Sequence, residues 1–189
     1  MSSSKVEKKM NELNQLDKKC LELALEEARK NCKEGYLPVG AVLVIDKKII
    51  DIGRNRLNLD KIKDRSYVNH AENLLIIKNG HLLTDAYKKN KIISLYSTLE
   101  PCIQCLGASV TNHVNKIFFM QKDPNGGACN LKHNNIGLWY KEVWPKIIYC
   151  PISDEPKNLL IEYYYEEIKK GNKKYPERML KLFKINRMI

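Results

Sequence analysis

Nowhere in this chain does an apolar run approach the roughly 18 residues that a membrane-spanning helix requires. The opening Met-Ser-Ser-Ser-Lys-Val-Glu-Lys-Lys likewise lacks the apolar centre of a secretion signal. There is no internal repeat and no low-complexity linker, which excludes stacked-repeat architectures and leaves an ordinary domain. At 189 residues the chain can bury a core without covalent staples, so its 6 cysteines are expected as thiols or metal ligands in a reducing, cytoplasmic setting. Acidic residues are scarce: 22 Asp and Glu stand against 33 Lys and Arg, a formal net charge of +11. An excess of that sign favours polyanions such as nucleic acid. Lysine is nevertheless spread almost everywhere among Asn and Ile, a pattern that codon bias also produces.

What the chain does contain is an alternation of helical and strand-like segments. Leu13, Leu16, Cys20, Leu23, Ala24 and Ala28 recur at helical spacing, predicting a long amphipathic helix over 13–33 with Asp17 as its cap and Gly35 as its stop. Val39-Gly-Ala-Val-Leu-Val-Ile45 is continuously apolar, as in a strand covered on both faces. Asp46-Lys-Lys48 then turns the chain into a second strand over 49–53. A polar loop follows over 53–64, then a helix that Asn69 would cap, with His70 and Glu72 in its first turn. Further strands are predicted over 91–97, 116–120 and 147–150, with helices over 102–111, 156–170 and 175–187. This order predicts an α/β domain with a largely parallel, two-sided sheet.

Chemistry concentrates in Ser97-Thr-Leu-Glu-Pro-Cys-Ile-Gln-Cys105. Pro101 suits the first turn of a helix, residues three apart share a face, and the positive end of the helix favours thiolates, so Cys102 and Cys105 can reach one ion. By itself that spacing also fits a redox pair or two core thiols. His70 adds an imidazole. One nitrogen with two sulfurs is a donor set that selects zinc and leaves a fourth position for water, the count of a catalytic site. Glu72, two residues on, can take a proton from that water, pass it to a ring nitrogen and then to a departing amine. Each of the four has a bland reading alone, as core histidine, first-turn acid or buried thiol; their joint occurrence is what points to a site.

His70-Ala-Glu72 followed by Pro101-Cys-Ile-Gln-Cys105 resembles the signature of the zinc nucleobase deaminases. The resemblance covers about residues 17–131 and is strongest to the branch that contains tRNA adenosine deaminases. It is carried by Pro38-Val-Gly-Ala-Val-Leu-Val44, Gly53-Arg-Asn55, Thr98-Leu-Glu-Pro-Cys102, Cys105-Leu-Gly-Ala108 and Asp123-Pro-Asn-Gly-Gly-Ala-Cys-Asn-Leu131. The likeness implies a three-layer α/β/α cytidine-deaminase-like fold with a five-stranded mixed sheet. It also implies one zinc ion per chain on His70, Cys102 and Cys105, with Glu72 as the proton shuttle. Asn55 would hydrogen-bond the base or sugar, and Val39, Gly40 and Ala41, together with His70, Ala71 and Pro101, would form the substrate pocket. The implied reaction replaces an amino group on a nucleobase by oxygen and releases ammonia. Adenosine-to-inosine conversion in tRNA ranks ahead of a free-base or nucleoside enzyme acting on cytosine, guanine or adenine. A non-catalytic, zinc-containing RNA-binding relative is the alternative from another class. Homodimers or larger homo-oligomers are common in the family.

Some stretches depart from the pattern. The branch usually carries Asp-Pro-Thr before its His-Ala-Glu, whereas this chain has Arg65-Ser-Tyr-Val-Asn69, in which Tyr67 suits stacking on a base or packing at a subunit contact. Beyond Leu131 the likeness fades, and the segment 132–145, with Trp139 and Trp144, is matched to no part of the family pattern. The expected division is an extension over 1–15, the deaminase domain over 16–155, and a helical extension over 156–189 packed on that domain. Residues 169–187 hold eight basic side chains against the single acid Glu177, with Met179, Leu182 and Phe183 facing inward. That segment reads first as a solvated surface helix and second as a phosphate-contacting arm for RNA. Tyr163-Tyr-Tyr165 reads as packing or as a cap over the site's mouth. His81, His113 and His133 read as structural or surface residues, and Cys20, Cys32, Cys129 and Cys150 as bland thiols.

Overall fold

A computed structural model of the chain describes residues 13–57, 66–132 and 136–185. The expected N-terminal extension as far as residue 12, the loop over 58–64, Arg65, His133 and the end of the last helix lie outside the described residues. Helix α1, Gln15–Lys33, opens on a reciprocal cap: the Asn14 side chain accepts the Asp17 N–H at 2.9 Å, and the Asp17 carboxylate accepts the Asn14 N–H at 3.2 Å. Asp17 is therefore the third helical residue and not the cap. Its other oxygen accepts the buried Tyr96 hydroxyl at 2.6 Å, which draws this stripe of the helix toward the sheet. Leu21 and Leu25 consequently fill the buried face, while Leu16 and Leu23 are only partly covered. Gly35, at φ +76°, ends the helix in the left-handed region that favours glycine.

Strands β1, Gly40–Ile45, and β2, Lys48–Arg54, form an antiparallel hairpin through Asp46 and Lys47, both at positive φ. Then follow α2 (Ala71–Lys88), β3 (Ile93–Leu99), α3 (Ile103–Thr111), β4 (Lys116–Gln121), α4 (Leu138–Glu142), β5 (Lys146–Tyr149), α5 (Glu155–Lys169) and α6 (Lys174–Ile185). The short α4 lies in the aromatic segment and spans too few residues to leave a readable period. Strand order is β2-β1-β3-β4-β5, with β1 antiparallel to both its neighbours and β3, β4 and β5 parallel. The sheet is thus mixed, not largely parallel. A two-residue turn cannot supply the crossover that a parallel partner for β1 would need.

Along β1 the side chains alternate between two apolar layers. Ala41, Leu43 and Ile45 pack with Leu75 of α2 and Leu106 and Val110 of α3, while Val42 and Val44 pack with Leu21 and Leu25 of α1. The result is three layers, helix on sheet on helix. Helices α5 and α6 form a smaller cluster of Leu160, Tyr163, Tyr164, Met179, Leu180 and Phe183 set against Leu37 and Leu99, with Leu180 in the buried place and Leu182 only partly covered. Arg29 of α1 grips Glu155 with two hydrogen bonds, at 2.6 and 2.8 Å, and ties α5 down. No helix among the described residues is long and apolar enough to cross a membrane.

Candidate active site

The mixed sheet brings the end of β3, the start of β1 and the end of β2 to one edge. Ala41 pairs with Ser97 and Gly40 with Arg54. Gly40 is required there: a Cβ would lie 2.0 Å from the Ala24 carbonyl oxygen of α1, and its N–H donates to Thr98 Oγ1 at 3.1 Å. The buried Asn31 amide donates to the carbonyls of Leu37 and Asn55 at 3.0 and 2.9 Å, and the Asn55 N–H donates to the Val39 carbonyl at 2.9 Å. These bonds hold the two connections flanking the hairpin at the same edge.

Two helices start here with no side chain of their own capping them. His70 is the N-cap of α2 and Cys102 the N-cap of α3, both extended, and their carbonyls accept the first helical N–H groups from Leu74 and Leu106. Asn69 and Pro101 therefore stand just outside the helices. The side chains of His70 and Cys102 turn toward each other and toward Cys105, on the first turn of α3. His70 Nδ1 lies 3.5 Å from Cys102 Sγ and 3.3 Å from Cys105 Sγ, and the two sulfurs are 3.7 Å apart. Tetrahedral zinc with Zn–S near 2.3 Å and Zn–N near 2.0 Å demands S–S and S–N edges of about 3.8 and 3.5 Å. The three donors thus form one face of a zinc tetrahedron, and these are the residues among the described ones that group as a metal site.

The charge on that face fits a cation as well. Cys102 is lowered to about 4, chiefly because the Cys105 thiol hydrogen-bonds to it and His70 assists, while burial opposes. Cys105 moves strongly the other way, through the same hydrogen bond and its own burial. The two sulfurs, 3.7 Å apart, are close enough to share one proton. A divalent ion in place of that proton would let both sulfurs be thiolates. His70 is raised, first by its hydrogen bond with Cys102.

Glu72 sits behind this face, 3% exposed. Its Oε1 accepts the Ser97 hydroxyl at 3.0 Å and its Oε2 lies 3.6 Å from Cys105 Sγ. Burial raises its pKa above the ordinary carboxylate value. Ser97 is a site residue that sequence reasoning missed, because its role comes from a strand reaching across to another helix. Glu100 is a second. Its buried carboxylate accepts the N–H groups of Asp123 at 3.2 Å and Cys129 at 3.0 Å, so it clasps the 123–129 loop against the turn that carries Cys102. Gly127 pairs with Cys102 across that clasp, and Ala128 N–H donates to the Pro101 carbonyl at 3.0 Å.

His70 also lines an open cavity with Leu37, Leu57 and Tyr67 on one side and the α5–α6 hairpin on the other. Of the expected substrate residues, His70 alone lines it; Val39, Gly40, Ala41, Asn55, Ala71 and Pro101 are buried. His113 is a packing residue, stacked on Tyr87 with centroids 3.6 Å apart. Among the described residues, Cys20, Cys32, Cys129 and Cys150 are in no disulfide.

A His, Cys, Cys donor face backed by a buried carboxylate, at one edge of a mixed five-stranded sheet in three layers, is the donor set of a catalytic zinc site with a proton-carrying group beside it. The chain belongs to the family described as the cytidine and deoxycytidylate deaminase zinc-binding region, whose model matches residues 14–121. It is 38% identical over 111 residues to the tRNA-specific adenosine deaminase of Bacillus subtilis (strain 168), a span of 59% of this chain and 65% of that protein. To the protein of the same name from Aquifex aeolicus (strain VF5) it is 32% identical over 147 residues, 76% of this chain and 91% of the other. A solved structure from work on A-to-I editing by tRNA:A34 deaminases at the wobble position superposes with a TM-score of 0.55 at 27% identity, over 70% of this chain and 97% of that one.

Proposed function

We propose that this chain converts adenosine to inosine within tRNA, with one zinc ion per chain held by His70, Cys102 and Cys105, and that it works in the cytoplasm as a homodimer or larger homo-oligomer. The observation that carries the chemistry is the donor face with the Glu72 carboxylate behind it. The substrate is supported by the tRNA-specific relatives and by the net charge of +11, which suits a polyanion.

When bound, the ion supplies Lewis acidity that lets water ionise near pH ~7. His70 and the two cysteines hold that position open on one side. Ser97 fixes one oxygen of Glu72 and leaves the other facing the donors, which is the arrangement a proton carrier needs. Oε2 of Glu72 takes a proton from water as the oxygen adds to the amino-bearing ring carbon, and delivers it to the neighbouring ring nitrogen. The second proton goes to the amino group, the C–N bond breaks, and ammonia leaves. Asn55 anchors the base or sugar, while Val39, Gly40, Ala41, Ala71 and Pro101 shape the pocket wall by packing.

An ammonia-release panel of tRNA, nucleotides, nucleosides and free bases tests the reading, with metal analysis run alongside. Release from tRNA and about one zinc per chain are the expected results. Activity on free bases or nucleosides with none on tRNA would overturn the substrate, and a metal-free preparation with full activity would overturn the zinc.

A further inference from the structure

The cavity beside His70 has a second wall, built by residues that lie beyond the family match at 14–121. Helix α5 contributes Tyr163 and Tyr164, and the turn that follows lies across the mouth. Gly171, at φ +96°, lets α5 stop and the chain reverse. The Asn172 amide donates to Glu167 at 2.7 Å and Pro176 is buried, so the turn is held at both ends.

That held turn presents cations. Lys169 and Lys170 are neutralised by Glu166 and Glu167 at 2.6 and 3.0 Å, but Lys173 and Lys174 line the cavity with no carboxylate in ion-pair range among the described residues. Beside them Tyr175 is 52% exposed, its ring packed edge-on against Tyr164 with centroids 6.1 Å apart. Across the mouth Tyr67 is 91% exposed. Two free ammonium groups and two open aromatic rings therefore surround the approach to His70. A free base or a nucleoside carries no phosphate to pair with the ammonium groups. A nucleotide inside a single strand offers phosphates to the lysines and neighbouring bases to the rings.

We infer that the α5–α6 hairpin is a recognition wall for single-stranded RNA, with Lys173 and Lys174 on backbone phosphates and Tyr175 and Tyr67 on bases flanking the target. The inference rests on the proposed tRNA reading for which nucleoside reaches His70, but the wall makes its own prediction about binding.

The test is fluorescence anisotropy of a labelled anticodon stem-loop RNA titrated with the zinc-loaded full chain. Lys173→Ala/Lys174→Ala is expected to weaken binding about tenfold and to flatten the log–log salt slope by about 1.4, the share of two single-strand phosphates. Lys89→Ala/Lys91→Ala, two lysines bordering another hollow, should change neither, and an equal loss there would reduce the effect to bulk charge and overturn the wall. Tyr175→Ala should weaken binding and Tyr175→Phe restore it; a Phe variant as weak as the Ala variant would overturn stacking. As competitors, adenosine monophosphate should outperform adenosine on the native chain and lose that advantage on the double lysine variant. An advantage unchanged in the variant overturns the phosphate contact, and a mononucleotide that binds as tightly as the stem-loop overturns the choice of a strand. Ammonia release is read separately. No ammonia from tRNA with the binding pattern intact defeats the proposed function alone, whereas ammonia from tRNA with no effect of the variants defeats the wall alone.

Discussion

Glu72 is an acid in a place that resists charge: burial raises its pKa, and among the described side chains Ser97 anchors it by a hydroxyl. Glu72→Gln keeps the shape and the Ser97 contact but removes proton transfer. It should retain zinc by metal analysis and lose about 10²–10⁴ in turnover, and turnover within tenfold of native would refute the shuttle. Gly127 is a second sensitive residue, since a Cβ there would lie 2.5 Å from the Glu100 carboxylate. Gly127→Ala should lower unfolding free energy by about 1–3 kcal/mol in denaturant titrations, as overpacking does, and an unchanged midpoint would mean the clasp gives way at little cost. At this scale the sequence was legible where local spacing does the work. His70, Glu72, Cys102 and Cys105 sit at two helix starts, so intervals of two and three residues expose them. Ser97 and Glu100 act across elements, on Glu72 and on the 123–129 loop, and no interval along the chain records such a meeting.

Helices α1, α2 and α3 begin in different ways. Asn14 and Asp17 cap α1 with side chains, whereas α2 and α3 begin on His70 and Cys102, whose side chains are committed to the donor face. An ion on that face would join two helix starts that lack caps of their own. Chelation should therefore lower the melting temperature and speed hydrogen exchange in the first turns of α2 and α3 while leaving the start of α1 protected; equal loosening of α1 would contradict this. The contact between α5 and α1 has its own signature. Arg29 holds the Glu155 carboxyl below its usual range, so the pair stabilises the fold above the unfolded carboxylate value of about 4.3 and is lost as pH falls through the lower folded value. With side chains 34% and 39% exposed, the coupling should not exceed about 1 kcal/mol. A double-mutant cycle of Arg29→Ala and Glu155→Ala should find that coupling at pH 6 and none at pH 2; equal coupling at both would exclude the ion pair. Most elements were legible from apolar periodicity, but the caps were not, because Asn14 against Asp17 and His70 against Asn69 are choices that backbone angles make.

Over the whole molecule, composition and geometry answer different questions. The lysine excess is spread along the chain and names no face; only the packing of α5 on α1 and of α6 on α5 carries Lys173 and Lys174 round to the mouth beside His70. The mixed sheet follows the same logic. Alternating strands and helices suggest parallel pairing, yet β1 runs against β3, which places the start of β1 beside the end of β3 where the site is. Topology of that kind is set by which edges meet after collapse, and a linear pattern holds little of it.

The α5–α6 hairpin closes around its own apolar cluster and joins the domain through Leu37 and Leu99, through Leu159 on the α1 side of the sheet, and through the Arg29–Glu155 grip. Under the role inferred for the hairpin, reaction and choice of substrate lie in different parts of the chain. The turn at 171–176 could then be rewritten while His70, Cys102 and Cys105 keep their places. Grafting a relative's C-terminal segment onto this chain should accordingly shift the preferred substrate while zinc content and dependence on Glu72 stay as they were.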